Sequence, residues 1–200
     1  MDYEPRFPAA IARMAAIELP DLISTAGYAR NGGFVVTIAG EYLSAPYRID
    51  YERHAHSVGS MPYRVRDRDR ALRHLVDRDS EEARCFRLSL GTRHWDGRFR
   101  EACAQQLAGT DAPWVLPFLL ALLGDYVVEV ANAAIPIVAH WDSRAMAAFA
   151  RDNDAFVKVT KARAVSYWNC YYRRRWPCLA DYPPIVALRT IEHLARKSRD

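Results

Sequence analysis

The stretch SEEARCFRLSLGTRHWDGRFREACAQQLAG, residues 80–109, decides the fold. Ser80 ahead of Glu81 and Glu82 is a helix N-cap with acids at the positive helix end, and Cys85, Phe86, Leu88 and Leu90 supply the apolar residues up to Gly91. Asp96 caps a second helix with Phe99, Ala102, Cys103 and Leu107 turned inward, and Gly109 ends it in the C′ position. Two helices bounded by their own caps within one short tract predict a chain that is mainly α.

The same reading extends toward the C-terminus. From Pro113 the sequence is apolar nearly all round, which predicts a helix surrounded by other elements at the centre of the core. A shorter helix near 143–151 and a long one near 154–175 follow. After Trp176-Pro177 a loop leads to Pro183-Pro184 and a last helix bearing Ile185, Leu188, Ile191 and Leu194.

Toward the N-terminus, Ala71, Leu72, Leu75 and Val76 form one short helical face. Phe7, Ile11, Met14 and Ile17 recur at spacings of three and four, which predicts a helix over 7–19 closed by Pro20, with a second short turn through Tyr28. After Gly32-Gly33, the run FVVTIAGEYLSAPYRIDY reads as strands 34–39 and 42–51 joined by a type II′ turn at Gly40-Glu41. Pro46 cannot donate to a ladder, so the second strand is an edge or carries a bulge there. Residues 52–66 have no period and contain Gly59 and Pro62. They read as a loop, the seam between a β-containing front (1–66) and a helical back (67–200) of one domain over 1–200. The expected fold class is mainly α, an irregular multi-helix stack of seven or eight helices with one N-terminal β-hairpin.

The 200 residues, 50% hydrophobic and 26% charged, exclude a disordered chain, a collagen, a disulfide scaffold and a membrane bundle. Of the 28 basic residues 25 are Arg, a bias that fits a high-GC bacterial genome. Positive charge concentrates in residues 161–200, nine basic against three acidic, and marks the place to look for an acidic partner. Cys85, Cys103, Cys170 and Cys178 match neither a zinc pattern nor a CxxC pair and read as free thiols, mostly in the core. The uncharged stretch 112–124 is too short to span a membrane, and MDYEPRFPAA lacks the basic start and apolar core of a signal peptide. A cytoplasmic protein with no membrane partner is expected.

Residues 95–109, through Asp96, Arg100, Ala102 and Leu107, resemble the second helix of a HEAT-like α-helical repeat. No second copy recurs at a period near 40. What the resemblance implies is a helical stack that binds partners.

Three groups of residues are candidates for function. The densest is Arg93, His94, Trp95, Asp96, Arg98, Arg100 and Glu101, read either as bracing ion pairs and caps, as a binding surface, or as a base (His94) oriented by a carboxylate (Asp96). Asp125 and Glu129 lie four apart on LLGDYVVEV and would share a helical face, as a buried charge network that fixes helix register or as an acid/base pair in a cleft. In YWNCYYRRRWP, Trp168, Tyr171, Tyr172 and Trp176 interleave with Arg173, Arg174 and Arg175. Such a segment suits protein hot spots or stacked single-stranded nucleic acid, or packs its aromatic stripe, Val165 included, inward. His54 and His56 alternate without a third ligand, so no metal is assigned, and without a nucleotide or hydrolase motif no cofactor or catalytic residue is assigned either. The expected function is a non-catalytic bacterial module that binds another protein in an adaptor, regulatory or immunity-like role. An acid/base enzyme around Asp125 and Glu129, and nucleic-acid binding through 168–176, are the alternatives.

Overall fold

The structure, a computed structural model, describes residues 6–22, 32–49, 68–77 and 80–197. These comprise nine α-helices and one two-stranded antiparallel hairpin, so the chain is mainly α with an N-terminal β-hairpin. It divides into two units, Met1–Thr110 and Asp111–Asp200. The helical turn expected through Tyr28 and the 52–66 loop with His54 and His56 lie outside the described residues. Among those described, no helix is long and apolar enough to cross a membrane.

The first unit begins with α1 (Ala9–Leu22), strand β1 (Gly33–Ile38) and strand β2 (Glu41–Pro46). Two details of α1 differ from the spacing argument. The helix continues past Pro20 to Leu22, since a missing N–H this near a helix end costs a single backbone bond. Ile17 is 65% exposed, whereas Ile11, Ala15 and Glu18 are buried. The helix is rotated so that Glu18 meets the buried Arg87 side chain in an ion pair. A charge taken out of water binds only where its counter-charge waits, and that requirement overrides the apolar preference of Ile17. At its other end, α1 receives the Glu41 carboxylate, which accepts from the Ala9 N–H at 2.6 Å and answers one of the free donors of the first turn.

The hairpin turn sits one residue earlier than expected. Ile38 pairs with Glu41, which leaves Ala39-Gly40 as the loop, and both have positive φ (51° and 85°). That is the type I′ pattern, whose twist matches the flanking strands, and it places an alanine where the left-handed region disfavours a Cβ. Phe34, Val36, Leu43 and Ala45 are then buried, while Val35 and Tyr42 face outward. Strand β2 ends at Pro46, short of the expected 51. Its free edge is covered at Ser44, whose N–H donates to the Arg6 carbonyl at 2.8 Å while its Oγ accepts from the Arg6 N–H at 2.8 Å.

Helices α2 (Arg68–Val76), α3 (Glu81–Gly91) and α4 (Gly97–Gln106) complete this unit. The caps stand where the sequence puts them. Ser80 Oγ accepts from the Ala83 N–H at 3.1 Å, and Asp96 Oδ1 from Arg98 and Phe99 at 2.9 and 3.3 Å. At Gly91 the helices approach so closely that a Cβ would lie 2.5 Å from Cys103 Sγ and 3.1 Å from Leu75 Cδ1. Cys85 and Cys103 are buried, and burial raises both thiols above their ordinary range, since a thiolate there would lose its hydration. Only two of the four cysteines are thus in the core, since Cys170 and Cys178 are exposed.

The second unit holds α5 (Leu116–Leu122), α6 (Val128–Ala139), α7 (Ser143–Asp152), α8 (Asp154–Tyr167) and α9 (Pro183–Lys197). All seven residues of α5 are buried, as the apolar run requires. The helix is shorter than that run, however, and breaks at Gly124. A Cβ there would stand 2.9 Å from the Thr160 carbonyl, so this position lets α5 approach the backbone of α8. Ile185, Leu188 and Ile191 of α9 are buried as predicted. Lys161 of α8 holds both carboxylate oxygens of Glu192 of α9 at 2.7–2.9 Å.

Two stability measurements check this packing. Gly91→Ala is expected to cost about 1–3 kcal/mol by overpacking against Cys103, and less in a Cys103→Ala background, read by urea unfolding of all four proteins. Ala39→Asn, which suits the left-handed region, is expected to raise the urea midpoint by the equivalent of about 0.5–1 kcal/mol without changing the slope.

Candidate functional site

The 92–100 corner between α3 and α4 turns most of its charge inward. Arg93, His94 and Arg100 are 1%, 7% and 0% exposed; Trp95 and Asp96 are half-buried, and Arg98 is exposed. Their hydrogen bonds are spent within the corner and on its neighbours. Arg100 Nη1 donates to the carbonyls of His94 and Trp95 at 2.9 and 2.8 Å, which satisfies oxygens that the turn would otherwise leave without donors. Arg93 Nε donates to Thr92 Oγ1 at 3.1 Å, and its carbonyl accepts from Ile49 beyond the hairpin at 3.0 Å.

His94 does not have the arrangement of a base oriented by Asp96. Its Nδ1 accepts from the Asp96 backbone N–H at 2.9 Å, and the Asp96 carboxylate is occupied in capping α4. The imidazole packs edge-on against Phe99, with centroids 5.1 Å apart. Accepting at Nδ1 requires that nitrogen to be unprotonated. The corner therefore braces the α3–α4 junction and leaves Arg98 with parts of Trp95 and Asp96 at the surface.

Asp125 and Glu129 do not share a helical face. The break at Gly124 places Asp125 ahead of α6, where it is 3% exposed and its Oδ1 accepts from the Val127 N–H at 3.0 Å. Glu129 lies in the first turn of α6 and is exposed. Reading LLGDYVVEV as one uninterrupted helix gave them a common side that the break removes.

The basic aromatic segment is built differently from the single long helix expected over 154–175. Helix α8 ends at Tyr167 and the chain widens into a π-helical turn, Trp168–Tyr172. Val165, Trp168, Tyr172 and Trp176 are half-buried, whereas Tyr171 is 66% exposed and Arg173, Arg174 and Arg175 are exposed. Tyr172 stacks on Tyr182 at 5.7 Å, Trp176 meets Tyr182 edge-on at 5.3 Å, and Trp168 Nε1 donates to the Trp176 carbonyl at 2.8 Å. Arg173 and Arg175 lie over the rings of Trp168 and Trp176, at 5.4 and 4.4 Å. Two of the three guanidinium groups thus rest on aromatic supports.

Tyr172 also does a job that no local pattern announces. Its hydroxyl accepts from the Val128 N–H at 3.0 Å and donates to the Tyr126 carbonyl at 2.8 Å, so it caps α6 from 44 residues away. Burial raises this hydroxyl above the ordinary tyrosine range; Glu129 and Asp125 push the same way, and the Val128 N–H and Arg175 oppose them. Fully buried Tyr182 is also raised, first by burial and then by Tyr172, and its hydroxyl has no hydrogen-bond partner among the described residues. The 3₁₀ turn Leu179–Asp181 leads from this cluster into α9.

Compared with known proteins, the chain matches no family model, and no curated protein or solved structure is significantly similar to it.

Tyr172→Phe keeps the stack on Tyr182 and removes only the hydroxyl, leaving Val128 N–H and Tyr126 C=O without it. A loss of about 1–2 kcal/mol is expected, measured as a lower melting temperature.

Proposed function

We propose that the chain is a non-catalytic protein-binding module whose contact surface is the basic aromatic ridge of the second unit. The observation that carries this reading is the state of Arg173, Arg174 and Arg175. They are adjacent and exposed, and no carboxylate among the described residues pairs with them. Arg173 and Arg175 already rest over tryptophan rings, which lowers the entropy lost when they engage a carboxylate, and Arg with aromatics is the composition of interface hot spots. The partner is accordingly a protein with acidic groups on its docking face. Arg98, with Trp95 and Asp96 beside it, is a second and smaller contact candidate, while Arg93, His94 and Arg100 support the fold behind it. The HEAT-like resemblance of 95–109 is in keeping with a partner-binding helix pair, and an adaptor, regulatory or immunity-like role in a bacterial cytosol suits such a module.

Exposed Tyr171 beside these arginines favours one further reading, single-stranded nucleic acid stacked on the ring. Asp125 and Glu129, one buried at an amide and the other in solvent, give an acid/base cleft no comparable support.

The test is capture from native lysate with the wild-type chain and with a variant carrying Arg173→Glu, Arg174→Glu and Arg175→Glu, its fold checked by circular dichroism. A stoichiometric protein depleted at least about tenfold by the charge reversal is expected. The proposal fails if no stoichiometric partner is recovered or if recovery ignores the reversal. Binding of a single-stranded oligonucleotide that weakens steeply with salt would transfer the surface to nucleic acid.

A further inference from the structure

We propose that a hollow between α6, α7 and α9 is a binding site for a small apolar molecule bearing one cationic group. It lies within the second unit, separate from the arginine ridge, and has a volume of about 530 Å³. That falls inside the range of about 300–1,000 Å³ typical of small-molecule sites.

The walls fix the body of the ligand. The last turn of α6 contributes Ile135 and Val138, Trp141 follows it, α7 contributes Met146, and α9 contributes Val186 and Ile191 among others. Met146 and Ile191 belong to the buried core, so this side of the hollow is firm, while Val186 at 47% exposed forms part of the mouth. A thioether and an indole among the lining residues suit an aromatic or alkyl body.

Polar groups also line the hollow. Thr190 is engaged with its own helix, donating to the Val186 carbonyl at 3.2 Å. Ser143 contributes a hydroxyl, and Asp181, at the end of the 3₁₀ turn, is the one charged residue among the described residues that line the space. A carboxylate at the rim of an apolar hollow complements an ammonium whose hydrocarbon part is buried. Arg189 and His193 line a different, smaller hollow of about 350 Å³. That smaller hollow adjoins the larger one, sharing Val186 and Thr190 with it, but neither cationic residue lines the larger space, where the one charge among the described residues is the Asp181 carboxylate. Because Asp181 is exposed, its attraction selects among ligands more than it binds them, by about two- to fivefold.

The probes are 4-phenylbutylamine and its neutral and anionic counterparts, 4-phenylbutanol and 4-phenylbutyrate, titrated calorimetrically into the full chain. The amine is expected to bind saturably and more tightly than either counterpart. Asp181→Asn is expected to erase the preference over the alcohol and leave the alcohol's affinity unchanged. Ala187→Phe adds a ring to the wall from a half-buried position and is expected to weaken amine binding at least about tenfold, with the melting temperature reporting that the variant folds. The absence of saturable binding by the amine overturns the site, and so does amine binding that Ala187→Phe leaves untouched. Equal or tighter binding of the carboxylate overturns the ligand class. None of these readouts depends on the Arg173–Arg175 surface, so the protein-binding reading stands or falls separately.

Discussion

The first unit depends on one guanidinium with no access to water. The α3–α4 turn leaves two consecutive carbonyls, His94 and Trp95, pointing where helix donors cannot reach them. Arg100, one turn into α4, supplies both donors from inside. Around that anchor Asp96 caps α4, His94 receives the Asp96 amide, and Arg93 offers its carbonyl to Ile49. Both bonds come from a single nitrogen, Nη1, whose two N–H groups take one carbonyl each. The density of charge at 93–100 is thus explained largely by polar backbone that a tight corner buries.

Where function is concerned, this changes the meaning of the segment. Residues that look in sequence like a surface rich in hydrogen-bonding groups are largely spent on the fold, and what remains outside is Arg98 with parts of Trp95 and Asp96. The C-terminal ridge is the reverse case. Trp168, Tyr172 and Trp176 are half-buried, with Tyr172 and Trp176 packed on Tyr182, and the arginines are left over.

Legibility in the sequence follows the range of the interaction concerned. Ser80 and Asp96 act within a turn of their own position, and both were readable; Gly109 has the left-handed φ expected of a helix-ending glycine but stands one residue beyond the C′ position, since Leu107 is the C-cap of α4. The hairpin was readable as well, but its turn was displaced by one residue because glycine in Ala39-Gly40-Glu41 satisfies either of two turn types, and only strand pairing chooses between them. Ile17 was misplaced because the orientation of α1 is set by Glu18 meeting Arg87, 69 residues distant. The common face of Asp125 and Glu129 failed at Gly124, whose purpose is a close approach to Thr160 that no periodicity records. Tyr172 as a remote cap left no local signal at all.

The π-helical turn at Trp168–Tyr172 has a consequence for ancestry. A π turn holds one residue more than the α turn it replaces, so in effect the chain carries an insertion here that rotates everything after it by about 100°. The stack of Tyr172 on Tyr182 and the seats of Arg173 and Arg175 depend on that rotation. A descendant that dropped a single codon in this stretch would keep its helix and lose both, so the length of the segment should be inherited more strictly than its letters.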